Sequence, residues 1–254
     1  MNSHSLLFAA TFLCTSLSLS ATSFVVSGDI QRFGEVGNVQ YLGAGAVGAP
    51  GDIWNAIETT SGEVSFTNLV TSAGANTGIT FTMSLGNPPQ NDSETVPGAA
   101  KPYPEAFNGL FKEYAYNTTS TPLSFSFTQL DPTLSYTLHL FGAARVDGTD
   151  YAGSWLVNGV RKSTAPSSSA DGSFLSSGAL GEGLQYVTYS GLTAVQISQG
   201  VYGISGSFGA DPSGVVVWNG WQLVAVPEPA TVSLWAGLGA ALVLARRRGR
   251  GARR

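Results

Sequence analysis

Charge is scarce in this chain: 11% of its 254 residues are Asp, Glu, Lys or Arg, and two are His. That excludes a disordered polyelectrolyte and the salt-bridged surface helices of a helix-rich cytosolic enzyme. Cysteine is scarcer. The one cysteine, Cys14, falls in an N-terminal stretch that reads as a removable leader. Without it the body has no thiol, which rules out disulfides, thiolate metal sites and cysteine nucleophiles together. Removing the leader also takes His4 and leaves only His139. One imidazole builds no metal cluster, and no Gly-x-Ser-x-Gly elbow is present to make it the base of a triad. Long helices are disfavoured by 32 glycines and few Lys or Glu.

Basic residues are unevenly placed. Arg246, Arg247, Arg248, Arg250, Arg253 and Arg254 account for six of the twelve Lys and Arg. Residues 24–224 hold six basic against fifteen acidic residues, a net of minus nine, which repels phosphate backbones and argues against nucleic acid as a partner. In that body apolar residues alternate with period two and are broken by Gly, Pro, Asn and Ser, which predicts an all-β fold: a single antiparallel β-sandwich. The strand candidates are 65–70, 79–85, 111–116, 123–127, 136–141, 154–157, 186–189, 194–198 and 215–224. Residues 88–104 hold five prolines and are expected to loop out of the sheet, where they can line a binding edge, and 163–173 form a second polar loop.

The two ends read as addresses. Residues 1–23 carry an apolar run from Leu6 to Leu13 and then small residues Ser18, Ser20 and Ala21, the pattern of a secretory signal cut by signal peptidase. Leu13 before Cys14 does not suit a lipoprotein cleavage site. Residues 231–245 (TVSLWAGLGAALVLA) are uncharged and meet the arginines directly. At about 1.5 Å per residue such a helix falls short of a ~30 Å hydrocarbon core, which suits temporary residence. The positive-inside bias makes Arg246, Arg247, Arg248 and Arg250 a cytoplasmic anchor and leaves the body outside.

Before that helix stand Val226, Pro227, Glu228, Pro229 and Ala230. A Pro-Glu-Pro motif, a short apolar helix and an arginine cluster in this order resemble the PEP-CTERM sorting tail of bacterial envelope proteins. The resemblance implies recognition by an integral-membrane exosortase, cleavage near Pro227, Glu228 and Pro229, and delivery to the cell surface or extracellular matrix. Strand-breaking explains the two prolines but gives no reason for Glu228 at that depth. The expected organisation is a signal peptide at 1–23, a body at 24–224 and a sorting tail at 225–254.

Phrases of the body resemble the galactose-binding or jelly-roll sandwiches that precede such tails. They are Asp52-Ile53-Trp54-Asn55, residues 74–82 (GANTGITFT), 110–116 (LFKEYAY), 134–142 (LSYTLHLFG) and the closing Trp218-Asn219-Gly220-Trp221-Gln222-Leu223. Similar bodies bind glycans, so extracellular polysaccharide is the expected ligand, with a purely structural matrix role as the alternative.

Sugar recognition needs an aromatic face against a pyranose ring and polar groups for its hydroxyls. Trp54, Tyr103, Tyr151, Trp155 and Trp218 are the aromatic candidates, and Arg145 and Asp147 near Tyr151 make the best polar rim. Each large ring also has a plain reading as core. Asn55 and Asn219 read as turn residues rather than ligands. Catalysis is not expected. A carboxylate-based glycan hydrolase would need two acids across a cleft, and Glu105, Glu113, Asp147 and Asp150 have ordinary surface readings. No cofactor is expected. Asp147, Asp150 and Asp171 are the carboxylates available to a structural calcium ion, without the spacing of a calcium loop.

Overall fold

The computed structural model describes residues 23–33, 41–91, 105–119, 121–146, 149–165, 179–209 and 215–227. The leader, Glu228, Pro229, the apolar run 231–245, the arginine cluster, Tyr103, Asp147 and Asp171 lie outside them. No helix among the described residues is long and apolar enough to cross a membrane.

In chain order the strands are β1 (Phe24–Arg32), β2 (Asn55–Thr59), β3 (Gly62–Phe66), β4 (Thr80–Leu85), β5 (Gln90–Asn91), β6 (Glu113–Asn117), β7 (Leu123–Thr128), β8 (Leu134–Phe141) and β9 (Ala143–Val146). Then follow β10 (Thr149–Ala152), β11 (Ser154–Val157), β12 (Val160–Ser163), β13 (Tyr186–Thr193), β14 (Val195–Ser198), β15 (Val201–Phe208), β16 (Val216–Trp218) and β17 (Gly220–Pro227). One helical turn, α1 (Asn108–Phe111), precedes β6. The fold is an all-β sandwich.

Three sheets form. The first runs β13-β8-β17-β1-β2, the second β5-β6-β16-β10-β9, and the third β12-β11-β15-β7-β4-β3 with β14 also on β15. Most pairings are antiparallel, but β1 with β2 and β10 with β16 are parallel, which the expectation of a purely antiparallel sandwich missed. The first and third sheets face each other across the main core. Trp221 of β17 meets Phe81 of β4 at 4.9 Å and Phe127 of β7 at 4.7 Å between ring centroids. Alternation drives this: Phe81 and Met83 in β4, and Phe125 and Phe127 in β7, point inward while the intervening Thr and Ser stay at the surface.

The second sheet exists because two strands of the first bend and continue. Gly142 breaks β8 from β9, and Asn219 breaks β16 from β17, so both chains switch sheets at one place. At Gly142 a Cβ would lie 2.6 Å from both Trp155 Cη2 and the Val217 carbonyl, so only glycine lets the layers approach there. Asn219 is fully buried and ties the bend together. Its Oδ1 accepts the Ala143 backbone N–H at 2.8 Å, and its Nδ2 donates to the Glu113 carbonyl at 3.0 Å. The reading of Asn219 as a turn residue therefore understates it, since it links β9, β6 and the β16–β17 corner.

Several strand boundaries differ from the expected ones, and the single strand expected over 215–224 is two, broken at Asn219. Residues 108–111 form α1, because Leu110 and Phe111 are fully buried against a second apolar cluster with Trp54 and Phe141; β6 begins at Glu113. The strand expected over 65–70 ends at Phe66, and Asn68 takes a left-handed φ of 57° that a continuing strand does not allow.

Candidate functional site

The second sheet presents tyrosines on one face. Tyr114 and Tyr116 are two apart in β6 and so share a side, their rings 6.4 Å apart at 71°. Antiparallel pairing sets Val216 beside Asn117, and parallel pairing sets Ala152 beside the same Val216. One residue along, this register places Thr118, Val215 and Tyr151 in a row across three strands. Together with Gln90 of β5 these side chains line a hollow of about 250 Å³. Beneath it Tyr114, Ala144 and Val217 form a small apolar cluster, with Tyr116, Tyr151 and Val215 partly buried against it. Tyr114 is buried in this cluster at 5% exposed, while Tyr116 and Tyr151 are half-buried and stay open to the hollow.

Among the described residues, Tyr151 is the one of the expected ligand set that lines this hollow. Arg145 lies in β9, in register with Asp150, one position away from the Tyr151–Ala144 pair, and Asp147 lies outside the described residues. Trp54 and Trp155 need correcting as ligand platforms. Both are completely buried, and a platform must offer a face to solvent. Trp54 donates from Nε1 to the Gly43 carbonyl at 2.9 Å and packs edge-on against Tyr41 at 5.2 Å. Trp155 sits between Phe208 and Trp218, and its indole N–H has no hydrogen-bond partner among the described residues. Trp218 is core as well, 1% exposed, with Nε1 donating to the Gly220 carbonyl. Asn55 is a tether: Nδ2 donates to the Ser27 and Val70 carbonyls while Oδ1 accepts the Val70 N–H.

Residue-by-residue reading passed over Tyr114, Tyr116, Thr118, Gln90 and Val215. The signal available was the i, i+2 tyrosine pair in Tyr114-Ala115-Tyr116, which puts two rings on one face of any strand. Its partner across the sheet was not readable, because β10 reaches it only through a short parallel pairing.

The carboxylates do not assemble an accessible acid–base pair among the described residues. Asp29 and Glu113 approach each other, yet they are 2% and 4% exposed. Burial holds the Asp29 carboxyl well above the usual carboxylate range; Gln31, donating from Nε2 at 2.9 Å, pulls it down, and Glu113 pushes it up further. Glu113 Oε2 accepts the backbone N–H of Arg32. This pair seals the junction of β1 with β6, and no polymer substrate reaches it. His139 is 7% exposed, its Nδ1 3.0 Å from the Thr188 hydroxyl, and burial lowers its pKa. No three His, Cys, Asp or Glu side chains converge on a metal position among the described residues.

A second hollow of about 240 Å³ lies beside Ser23, Phe24, Thr71, Ser72 and Val224, where β1 starts. Its lining carries one aromatic ring, Phe24, against the three of the tyrosine hollow. Comparison of the chain with family profiles, with curated proteins and with solved structures finds no match.

Proposed function

We propose that this is an exported, non-enzymatic protein of the bacterial envelope or extracellular matrix whose body, a jelly-roll-like sandwich, binds carbohydrate through the tyrosine-lined hollow. The observation that carries the reading is the convergence of Tyr114, Tyr116 and Tyr151 on one open concavity with an amide and a hydroxyl at its rim. Aromatic faces take the C–H faces of a sugar ring, and Gln90 and Thr118 supply exchangeable hydrogen bonds for its hydroxyls. The ends supply the address: a signal peptide for export and a PEP-CTERM-like tail for exosortase processing. Pro227, the last described residue, pairs with Leu134 in the β17–β8 ladder.

Glycan-array binding of the full-length protein, with Tyr151→Ala as the control, tests the ligand reading. Binding that survives the substitution, or no binding to any glycan, refutes it. For the tail, fractionation of wild type and Glu228→Ala into membrane and released pools is decisive. Equal release from both removes the sorting reading and leaves a plain anchor. The structural-matrix alternative has one observation of its own. Edge strand β14 is uncharged and exposes Val195 and Ile197 at 61% and 52%, without the lysine or proline that commonly guards an edge. Sedimentation of wild type against Val195→Lys with Ile197→Lys reads it out: self-association lost in the double variant supports it, and a monomer in both removes it.

A further inference from the structure

We infer that the end of the body where Phe24 and Pro227 meet is a membrane-facing surface, which lies against the headgroups of a lipid bilayer while the tail is held in it, a contact that rests on the tail reading above. Strand register defines this end. In the first sheet Phe24 pairs with Ala225, Pro227 with Leu134, and Ser135 with both Val226 and Thr193. In the third sheet Thr128, the last residue of β7, pairs with Thr80, the first of β4, and with Gly203 of β15. Residues 129–133 carry the chain from Thr128 to Leu134, and Ala194 alone separates Thr193 from β14, so both sheets end here together. The β14–β15 hairpin goes furthest: its Ser198–Val201 pair lies two residues beyond Gly203.

The chain that leaves this end points to lipid. Ser23 precedes β1 and Pro227 closes β17, so the expected leader and tail are attached side by side. The apolar run begins at Thr231, and four residues of fully extended chain reach at most about 14 Å. A headgroup layer is itself roughly 5–8 Å deep, so a tail seated in the bilayer leaves this end little room to stand off. Apolar exposure points the same way. Of the six large apolar side chains exposed among the described residues, Val195, Ile197 and Val226 are here, at 61%, 52% and 42%. They sit on β14 and β17, in two different sheets, so a broad surface such as a bilayer can cover all three, whereas strand pairing along β14 would cover two. The hollow beside Phe24, Val25, Ala73 and Val224 adds apolar surface at the same end. So does the want of charge. The segments at this end, 67–79, 129–133 and 193–201, hold one of the body's fifteen acidic residues, Asp131, and none of its six basic ones. An ionised side chain pressed into the headgroup boundary loses hydration, and carboxylates are repelled by anionic lipid, while hydroxyls and amides keep hydrogen bonds there. An otherwise acidic body thus has one end that can approach a bilayer.

Fluorescence depth measurement tests this on the full-length protein with Cys14→Ser, reconstituted into phosphatidylcholine–phosphatidylglycerol vesicles. A single cysteine introduced by Val195→Cys, by Ile197→Cys or, on the second sheet, by Thr149→Cys carries a polarity-sensitive fluorophore, and the melting temperature of each variant checks that it folds. All three positions are exposed. Emission from positions 195 and 197 is expected to shift to the blue in vesicles and to be quenched by lipid brominated near the headgroup end of its acyl chains, while position 149 keeps the emission of a probe in water. Either of the first two positions carries the test if the other variant unfolds. Water-like emission at both, in protein that floats with the vesicles, overturns the membrane-facing surface and leaves the tail reading standing. An equal shift at position 149 overturns it too, since the body would then adsorb without a specialised end. A blue shift that appears without lipid and grows with protein concentration overturns it in favour of self-association through β14. Protein that does not float with vesicles at all refutes the tail reading, and the inference falls with it.

Discussion

Replacing Trp155 with Ala separates a core tryptophan from a ligand platform. The ring is completely buried, with Phe208 at 6.2 Å and Trp218 at 6.4 Å between centroids. The fold is also built around it: a Cβ on Gly153 would come within 1.8 Å of its Cη2, and one on Gly142 within 2.6 Å. Two glycines therefore yield their side-chain space to one indole. Neighbours so placed do not collapse into the void, because Trp218 and Phe208 are themselves held in rigid strands. Truncating a buried Trp costs about 3–5 kcal/mol. In a domain of this size each kcal/mol moves the melting temperature by roughly 2–4 °C, so a fall of about 6–20 °C is expected. Urea denaturation should show a lower midpoint with an unchanged slope. Glycan affinity measured on the folded fraction at low temperature should stay at the wild-type value. A variant that keeps wild-type stability but loses glycan binding would refute the assignment of Trp155 to the core.

The remaining predictions concern the junctions that carry the tyrosine site. Asn219→Ala strands the buried Ala143 N–H and Glu113 carbonyl and is expected to cost roughly 2–5 kcal/mol, read by thermal denaturation; an unchanged midpoint would contradict its role at the corner. Burial raises the Asp29 pKa in the fold well above its unfolded value of about 3.9. Its contribution to stability is therefore fully present below that pH and declines as pH rises toward the elevated folded value, by up to about 1.4 kcal/mol per unit. Asp29→Asn should flatten this decline in stability measured between pH 4 and 7, and parallel curves for the two proteins would show that the carboxyl is ionised in the fold. Gly159→Ala, at φ 76° in the hairpin between β11 and β12, should cost about 1–2 kcal/mol by chemical denaturation, and no loss would mean the turn is not left-handed there.

Strands with one wet face were legible, and strands buried on both sides were not. In β4 and β7 Phe and Met alternate with Ser and Thr, and the period-two pattern locates them to within a residue or two. In β1 the alternation fails because Ser27, Asp29 and Gln31 are as buried as Val26 and Ile30. This strand lies between β17 and β2 and its polar side chains are bonded inside the protein, so nothing in the pattern marks a solvent side. Glycines concealed β15, where Gly203 and Gly206 make room for Ile197 and for Phe125. One signal was plain and unused: Asn158-Gly159 is the favoured pair for a two-residue hairpin, and it joins β11 to β12 with Val157 opposite Val160. The aromatic candidates failed for a related reason. Composition counts rings but not their exposure, and only the packed structure shows that Tyr116 and Tyr151 line a hollow while Trp54 and Trp155 fill the interior.

The same register fixes how the site stands relative to the ends of the body. Phe24 pairs with Ala225, so the first strand starts beside the place where the last one stops. From there β17 runs back through Gly220 to the corner at Asn219, and β16 continues beyond it to Val216, next to Thr118 and Tyr151. About eleven residues of extended chain at roughly 3.3 Å each lie between Pro227 and that point, a length of the order of the sandwich itself. Phe24 and Pro227 thus lie together at one end of the first sheet, and the tyrosine hollow lies on the second sheet, beyond the corner at Asn219.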